Sequence, residues 1–82
     1  MERSEAHDKR YRDAISLLKV ERKRQGMTQE RLASALGKRQ QFVSKFESGE
    51  RRLDVVEYVD IASALRMDIM ECLETLQIPV EP

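Results

Sequence analysis

The stretch GKRQQFVSKFESGE, residues 37–50, decides the fold and raises the question of function. Read as a helix from about residue 40 to residue 48, it places Val43 and Phe46 on one side. The other side carries two adjacent amides, a hydroxyl and an ammonium group, from Gln40, Gln41, Ser44 and Lys45. A solvated helix face needs only charged groups, and such a face is the alternative interpretation. Adjacent amides beside a cation are suited to hydrogen-bonding the edges of nucleic-acid bases.

The length and composition indicate one small, soluble, helical domain. The 82 residues include 3 Gly, 2 Pro and no Trp, and they suffice for a single small core that dimerisation would help to stabilise. No apolar run approaches the roughly 20 residues of a membrane span, and the first residues are too charged for a secretion signal. We therefore expect a cytoplasmic protein without a membrane association. One Cys and one His exclude an internal disulfide and predict no metal site, and Cys72 is expected to be buried.

The formal net charge is zero, but the charges are unevenly distributed. Residues 1–52 contain 14 Lys and Arg against 8 Asp and Glu, a balance of +6. Residues 53–82 contain 1 against 7, a balance of −6. This asymmetry indicates one basic and one acidic face, although chance clustering on a solvated surface would give the same count.

Helical spacing and capping residues predict an all-α bundle of five helices. The first runs over about 8–25 and ends at Gly26, and the second follows the N-cap Thr28. The third is the opening stretch, the fourth begins near Asp54, and the last begins at Asp68 with a capping-box variant completed by Glu71. Two short helices joined by a glycine-containing turn, residues 28–48, predict a helix-turn-helix. The expected organisation is a single domain over 1–82, with 1–7 flexible, 8–76 helical and 77–82 a loose tail.

The stretch LKVERKRQGMTQERLASALGKRQQFVSKFESGERRLDVVEYVDIASAL, residues 18–65, resembles the Cro/repressor-type, or XRE-like, helix-turn-helix family, and the resemblance extends to about residue 73. The resemblance implies the lambda repressor-like DNA-binding fold and a small, single-domain bacterial or phage transcription regulator. The positions that carry it are Leu18, Arg22, Gly26, Thr28, Gln29, Leu32, Ala33, Leu36, Gly37, Val43, Ser44, Glu47, Gly49, Ile61, Ala62 and Leu65.

The resemblance also implies a role for each polar position. The third helix would enter the major groove and contact bases through Arg39, Gln40, Gln41, Ser44 and Lys45. Phosphate contacts would come from Gln29, Lys38, Ser48, Arg51 and Arg52, and Gln29 would also brace the third helix. Arg22 and Glu47 would form a buried ion pair, which a half-buried carboxylate requires. Glutamine is chemically suited to the base contacts, because its amide matches the N6 and N7 edge of adenine.

Some positions depart from the family pattern. Lys38 stands where an apolar residue is usual, and Arg39 stands where a Ser, Thr or Pro is common, so the third helix lacks a hydroxyl cap. Arg66 replaces the usual glycine before the last helix, which leaves the geometry of that turn open. Phe42 is ambiguous between packing on the second helix and touching a thymine methyl group.

The partners expected are double-stranded DNA with a palindromic operator and a second copy of the chain. One recognition helix reads only a few base pairs, so a two-fold dimer would double the site. The expected dimer surface consists of Val56, Val59, Met70, Leu73 and Leu76. The alternative is an antitoxin or another protein-interaction module on the same fold, with the tail bound to a partner. An enzyme is disfavoured because convergent catalytic groups are lacking, and no cofactor, metal or small-molecule ligand is expected.

Overall fold

Five α-helices make up the described part of the chain. The computed structural model describes the backbone of residues 5–77 and the side chains of residues 8–77. The order is α1 (Glu5–Arg24), α2 (Gln29–Leu36), α3 (Gln40–Ser48), α4 (Val55–Ala64) and α5 (Ile69–Glu74). The expected all-α, five-helix class is confirmed. The expectations for residues 1–4 and 78–82 lie outside the described residues, whereas α1 begins at Glu5, before the residue 8 that the sequence predicted.

The turn between α2 and α3 follows from one glycine. Gly37 has a φ of 67°, in the left-handed region where a residue with a Cβ is strained. This conformation lets the backbone N–H of Lys38 donate to the carbonyl of Ala33 at 2.9 Å, which closes α2. The chain then starts α3 at Gln40. Thr28 caps the other end of α2, where its hydroxyl accepts from the Arg31 N–H at 3.1 Å.

The capping of α4 and α5 differs from the prediction. The reciprocal capping box is at α4, where Asp54 accepts from the Glu57 N–H at 2.7 Å and Glu57 accepts from the Asp54 N–H at 3.0 Å. At α5, Asp68 accepts instead from the Met70 N–H at 2.9 Å. The sequence pattern Asp-x-x-Glu occurs at both places, so the pattern alone did not show where the reciprocal pair forms.

Arg66 adopts the left-handed conformation that glycine has in the family pattern. Its φ is 58°, and it is the non-glycine residue with a positive φ in the described chain. The N–H of Met67 donates to the carbonyl of Ala62 at 2.9 Å, so the end of α4 is still closed as a glycine would close it. The turn therefore keeps its geometry at some cost in backbone strain.

The core lies where the five helices meet, and α5 contributes Cys72 to it. Its fully buried large side chains are Phe46, Leu18, Leu32, Ile61, Leu65, Val43 and Cys72. Cys72 is 1% exposed, as expected, and burial raises the pKa of its thiol. Tyr58 fixes α4 to α1, because its hydroxyl donates to the carbonyl of Ala14 at 3.0 Å. No helix in the described range is long and apolar enough to cross a membrane.

Candidate nucleic-acid interface

A buried ion pair joins α1 to α3 and supports the candidate interface. Arg22 donates from Nε to Glu47 Oε2 at 2.6 Å and from Nη2 to Glu47 Oε1 at 3.0 Å. Only 8% of the Arg22 side chain and 2% of the Glu47 side chain are exposed. Arg22 Nη1 also donates to the carbonyl of Met27 at 2.6 Å, in the turn between α1 and α2. One guanidinium therefore fixes three segments relative to each other.

The Glu47 carboxylate stays ionised in this site. Burial raises the pKa of this carboxyl group. Hydrogen bonds from Arg22 and Gln29, together with the charges of Arg22 and Lys19, lower it by a larger amount, so the net pKa is below its ordinary value. A charged carboxylate can accept hydrogen bonds from both neighbours at once.

A chain of amides leads from this ion pair to the surface of α3. Gln29 Nε2 donates to Glu47 Oε1 at 3.0 Å, and Gln40 Nε2 donates to Gln29 Oε1 at 3.2 Å. Gln40 therefore uses one of its two amide hydrogens inside the protein. Its second amide hydrogen and its carbonyl oxygen remain available, and these are the two groups that adenine N7 and N6 require. The brace expected for Gln29 is present in this geometry.

The outer face of α3 presents the remaining polar side chains. Gln41 and Lys45 are exposed, and Ser44 is half-buried, with its hydroxyl donating to the Gln41 carbonyl at 3.3 Å. Arg39 precedes the helix in an extended conformation and forms no side-chain cap. Within the described residues, Arg39 and Lys45 have no ion-pair partner, so their charges are free to meet an anion.

Phe42 is half-buried against the core, and two cations lie over its ring. Its ring lies 5.8 Å from that of Phe46 and packs against the core. The Lys38 ammonium is 5.5 Å from the ring centroid, and the Arg51 guanidinium is 4.9 Å from it. These contacts favour the packing role that the sequence left open for Phe42, and they hold two cations beside the face of α3.

The two arginines of the linker after α3 both have internal partners. Arg51 donates to the Glu57 carboxylate at 3.0 and 2.8 Å. The hydrogen bonds from Arg51 and from the Asp54 backbone lower the pKa of Glu57 to about 2. Arg52 lies 4.3 Å over the ring of Tyr11 and 3.4 Å from an Asp8 carboxylate oxygen. To contact a phosphate, either arginine must therefore bind it alongside its internal carboxylate partner or exchange that partner for the phosphate.

The ion pair between Glu57 and Arg51 was not predicted from the sequence. The signal available was the capping box at Asp54, which places the Glu57 side chain at the start of α4. The contact itself depends on how the linker turns, and no helical spacing rule relates these two positions.

Ser48 lies at the end of α3, where its hydroxyl donates to the Lys45 carbonyl at 3.1 Å.

The residues expected at a dimer interface lie on α4, on α5 and just after it. Val56 is 64% and Met70 is 68% exposed, while Val59 and Leu76 are 36% and 37% exposed. Leu73 is half-buried. Val55, which the sequence reasoning did not include, is 69% exposed beside Val56. Apolar side chains of this size at such exposure are candidates for contact with another chain.

A short, capped α2, a tight turn and a braced α3 with a polar outer face define a helix-turn-helix domain of the DNA-binding class. A family model described as Helix-turn-helix matches residues 18–72. The chain belongs to this family and is XRE-like. It is similar to the solved structure of an XRE-family like protein from Pseudomonas syringae pv. tomato str. DC3000, with 43% identity over 85% of each chain and a TM-score of 0.80. A comparison with curated proteins gave no match.

Proposed function

We propose that the protein is a cytoplasmic transcriptional regulator that binds a specific double-stranded DNA sequence as a homodimer. The observation that carries the proposal is the chain of hydrogen bonds from the buried Arg22–Glu47 pair through Gln29 to Gln40. A side chain held in this way loses little conformational freedom on binding, which favours selective contacts. A merely solvated face gains nothing from such a support.

The proposed base contacts come from the exposed face of α3 and the residue before it. Gln40 would pair with adenine, with its second amide hydrogen on N7 and its carbonyl on the N6 amino group. Lys45, one turn further along and without an internal ion pair, would reach guanine O6 and N7. Arg39, Gln41 and Ser44 lie on the same side and would contact neighbouring bases.

The proposed phosphate contacts surround this face. Lys38 and Ser48 lie at the two ends of α3, and Gln29 at the start of α2 would contact a phosphate while it braces Gln40. Arg51 retains its Nε–H outside the Glu57 contact, so it could hold a phosphate without leaving the ring of Phe42. Arg52 would exchange its long contact with Asp8 for a phosphate. Such contacts position a protein on DNA without reading the sequence.

The proposed dimer would double this reading surface on a palindromic operator. Two copies joined through α4 and α5 would place their α3 helices about 34 Å apart, so that both enter successive major grooves. The acidic balance of residues 53–82 keeps this C-terminal segment away from the phosphates.

The test distinguishes residues that contact specific bases from residues that contact phosphates. A preferred sequence is first selected from random duplexes, and binding is then measured on that operator and on a scrambled duplex. Gln40→Ala should cost about 1–3 kcal/mol on the operator and little on the scrambled duplex, because an amide matches one base edge. Replacing Arg51 or Arg52 with alanine should weaken binding to both duplexes alike, because the phosphate charge is the same at every step.

The salt dependence provides the matched comparison for these variants. Loss of one phosphate contact should reduce the slope of log affinity against log salt by about one, whereas Gln40→Ala should leave the slope unchanged. If Gln40→Ala lowered both affinities equally, the proposal that this amide reads a base would be wrong. If the unmodified protein selected no sequence, the proposed function itself would be wrong.

A further inference from the structure

A groove of about 250 Å³ separates α1 from the C-terminal end of α3. Apart from Ser48, its lining residues were assigned no contact with DNA above. The α1 wall carries Arg12, Ser16 and Lys19, and the facing wall is formed by the end of α3 and the residue that follows it. The lining residues are Tyr11, Arg12, Ile15, Ser16, Lys19, Phe46, Glu47, Ser48 and Gly49.

The charges along this groove are positive and free. Arg12 and Lys19 are seven residues apart on α1, so their side chains lie on the same face of the helix, with Ser16 between them. Arg12 is exposed and Lys19 is half-buried, and neither has an ion-pair partner within the part of the chain that the structure describes. By contrast, Lys9 and Arg24 on the same helix are paired with Asp13 and Glu21.

The one carboxylate that lines the groove does not neutralise these cations. Both oxygens of Glu47 already accept hydrogen bonds, from Arg22 and from Gln29. The Arg22 guanidinium balances its charge in a nearly closed site. Lys19 lies close enough to contribute to the lowered pKa of Glu47, but it forms no bond with it. The groove therefore keeps two unbalanced positive charges from α1.

The groove is continuous with the proposed DNA-reading face. Glu47 forms part of its wall and is also the residue that holds Gln29, which in turn holds Gln40. Ser48 lines the groove and lies at the end of the helix proposed to enter the major groove. A DNA strand that borders that major groove and passes Ser48 would meet Arg12 and Lys19 next.

We infer that this groove binds the DNA backbone beside the bases read by α3, with Arg12 and Lys19 each neutralising a phosphate and Ser16 at its rim. The inference rests on the proposed DNA-binding function and extends it to α1, for which the sequence predicted no DNA contact. Its consequence is a wider footprint on each half-site, because the contacts then include the strand that runs along α1. These contacts supply affinity without selecting a sequence.

The test is the salt dependence of binding to a mixed-sequence DNA duplex. The variant Arg12→Gln/Lys19→Gln should reduce the slope of log affinity against log salt by about two, because two phosphate contacts are lost. The matched control is Lys9→Gln/Arg24→Gln, which removes two cations from the same helix outside the groove and should leave the slope nearly unchanged. Arg12 is exposed and Lys19 is half-buried, and thermal melts should show that the test variant remains folded.

The charge-preserving variant Arg12→Lys/Lys19→Arg should retain the slope, since the contact depends on charge. Equal losses in the groove variant and the control would overturn the inference, because they would show only the effect of net charge. An unchanged slope in the groove variant would overturn it as well, while the unmodified protein would still bind DNA as proposed. A failure of the unmodified protein to bind any duplex would instead be a failure of the proposed function.

Discussion

At the scale of single residues, Glu47 decides how α1, α2 and α3 are held together. Its carboxylate accepts two bonds from Arg22 on α1 and one from Gln29 on α2. The family resemblance predicted Arg22 and Glu47 as partners, and the structure places them 2.6 Å apart. The contact between Arg51 and Glu57 was not predictable in this way, because it depends on the path of a linker. Sequence patterns located side chains on helices but not those that meet across a turn.

Glu47→Ala should lower the free energy of unfolding by about 3 kcal/mol, because it leaves the Arg22 guanidinium buried without a carboxylate. The measurement is equilibrium unfolding in denaturant, with the change in midpoint read at constant slope. The replacement of both partners by apolar residues, Arg22→Met with Glu47→Leu, should recover most of the loss, since no charge then remains buried.

The matched control for this variant is Glu50→Ala. Glu50 is exposed, lies near the end of the same helix, and forms no side-chain ion pair within the described residues. Its replacement should change the stability by no more than about 0.5 kcal/mol. A cost for Glu47→Ala as small as that of the control would show that the ion pair does not support the fold.

At the scale of elements, α3 begins without a stabilising side-chain cap. Its neighbour α2 begins with a threonine cap, whereas α3 begins after Arg39, whose side chain forms no capping bond. The sequence predicted this difference correctly, because a missing hydroxyl can be read directly from the chain. An uncapped start leaves backbone N–H groups without internal partners. In the proposed complex, these N–H groups and the Arg39 side chain would lie at the DNA surface.

Arg39→Ser should therefore stabilise the fold and weaken DNA binding at the same time. A serine at the N-cap position should raise the free energy of unfolding by about 1 kcal/mol, because it satisfies an N–H group of the first turn. Loss of the arginine should reduce the affinity for the selected operator. Denaturant unfolding and operator binding on the same variant measure both effects.

The control at the corresponding position of α2 is Thr28→Ala, which should destabilise the protein by about 1 kcal/mol through loss of an existing cap. If Arg39→Ser destabilised the protein, then the arginine would have a structural role at the start of α3. If Arg39→Ser left operator affinity unchanged, the proposed contact from Arg39 would be wrong.

At the scale of the whole molecule, the sequence predicted the order of the helices, the fold class and the burial of Cys72. It missed the start of α1, the position of the capping box, and the groove beside α1. The groove was missed because it is formed by residues far apart in the chain, and a basic helix face alone does not reveal what lies opposite to it. The exposed apolar side chains of α4 and α5 agree with the expectation of an intermolecular contact, but they suit a protein partner as well as a second copy.

We expect Val56→Lys to convert a dimer into a monomer and to weaken operator binding. The control is Val20→Lys on α1, since the two valines are 64% and 60% exposed and the substitution is the same. Sedimentation equilibrium should show a dimer for the control and a monomer for Val56→Lys, with similar thermal stability for both. A monomer for the unmodified protein at high micromolar concentration would contradict the proposed homodimer and favour a partner of another kind on this surface.

We propose above that Gln40, held by Gln29, contacts an adenine in the major groove. The most direct measurement is a double-substitution cycle between Gln40→Ala and 7-deazaadenine, which lacks the N7 acceptor, placed in turn at each adenine of the selected operator. At one position, the modified base should cost the unmodified protein about 1–3 kcal/mol of binding free energy and cost the Gln40→Ala variant almost nothing. Equal penalties in the two proteins at every adenine would contradict the account, because they would show that the amide of Gln40 makes no contact with an adenine N7.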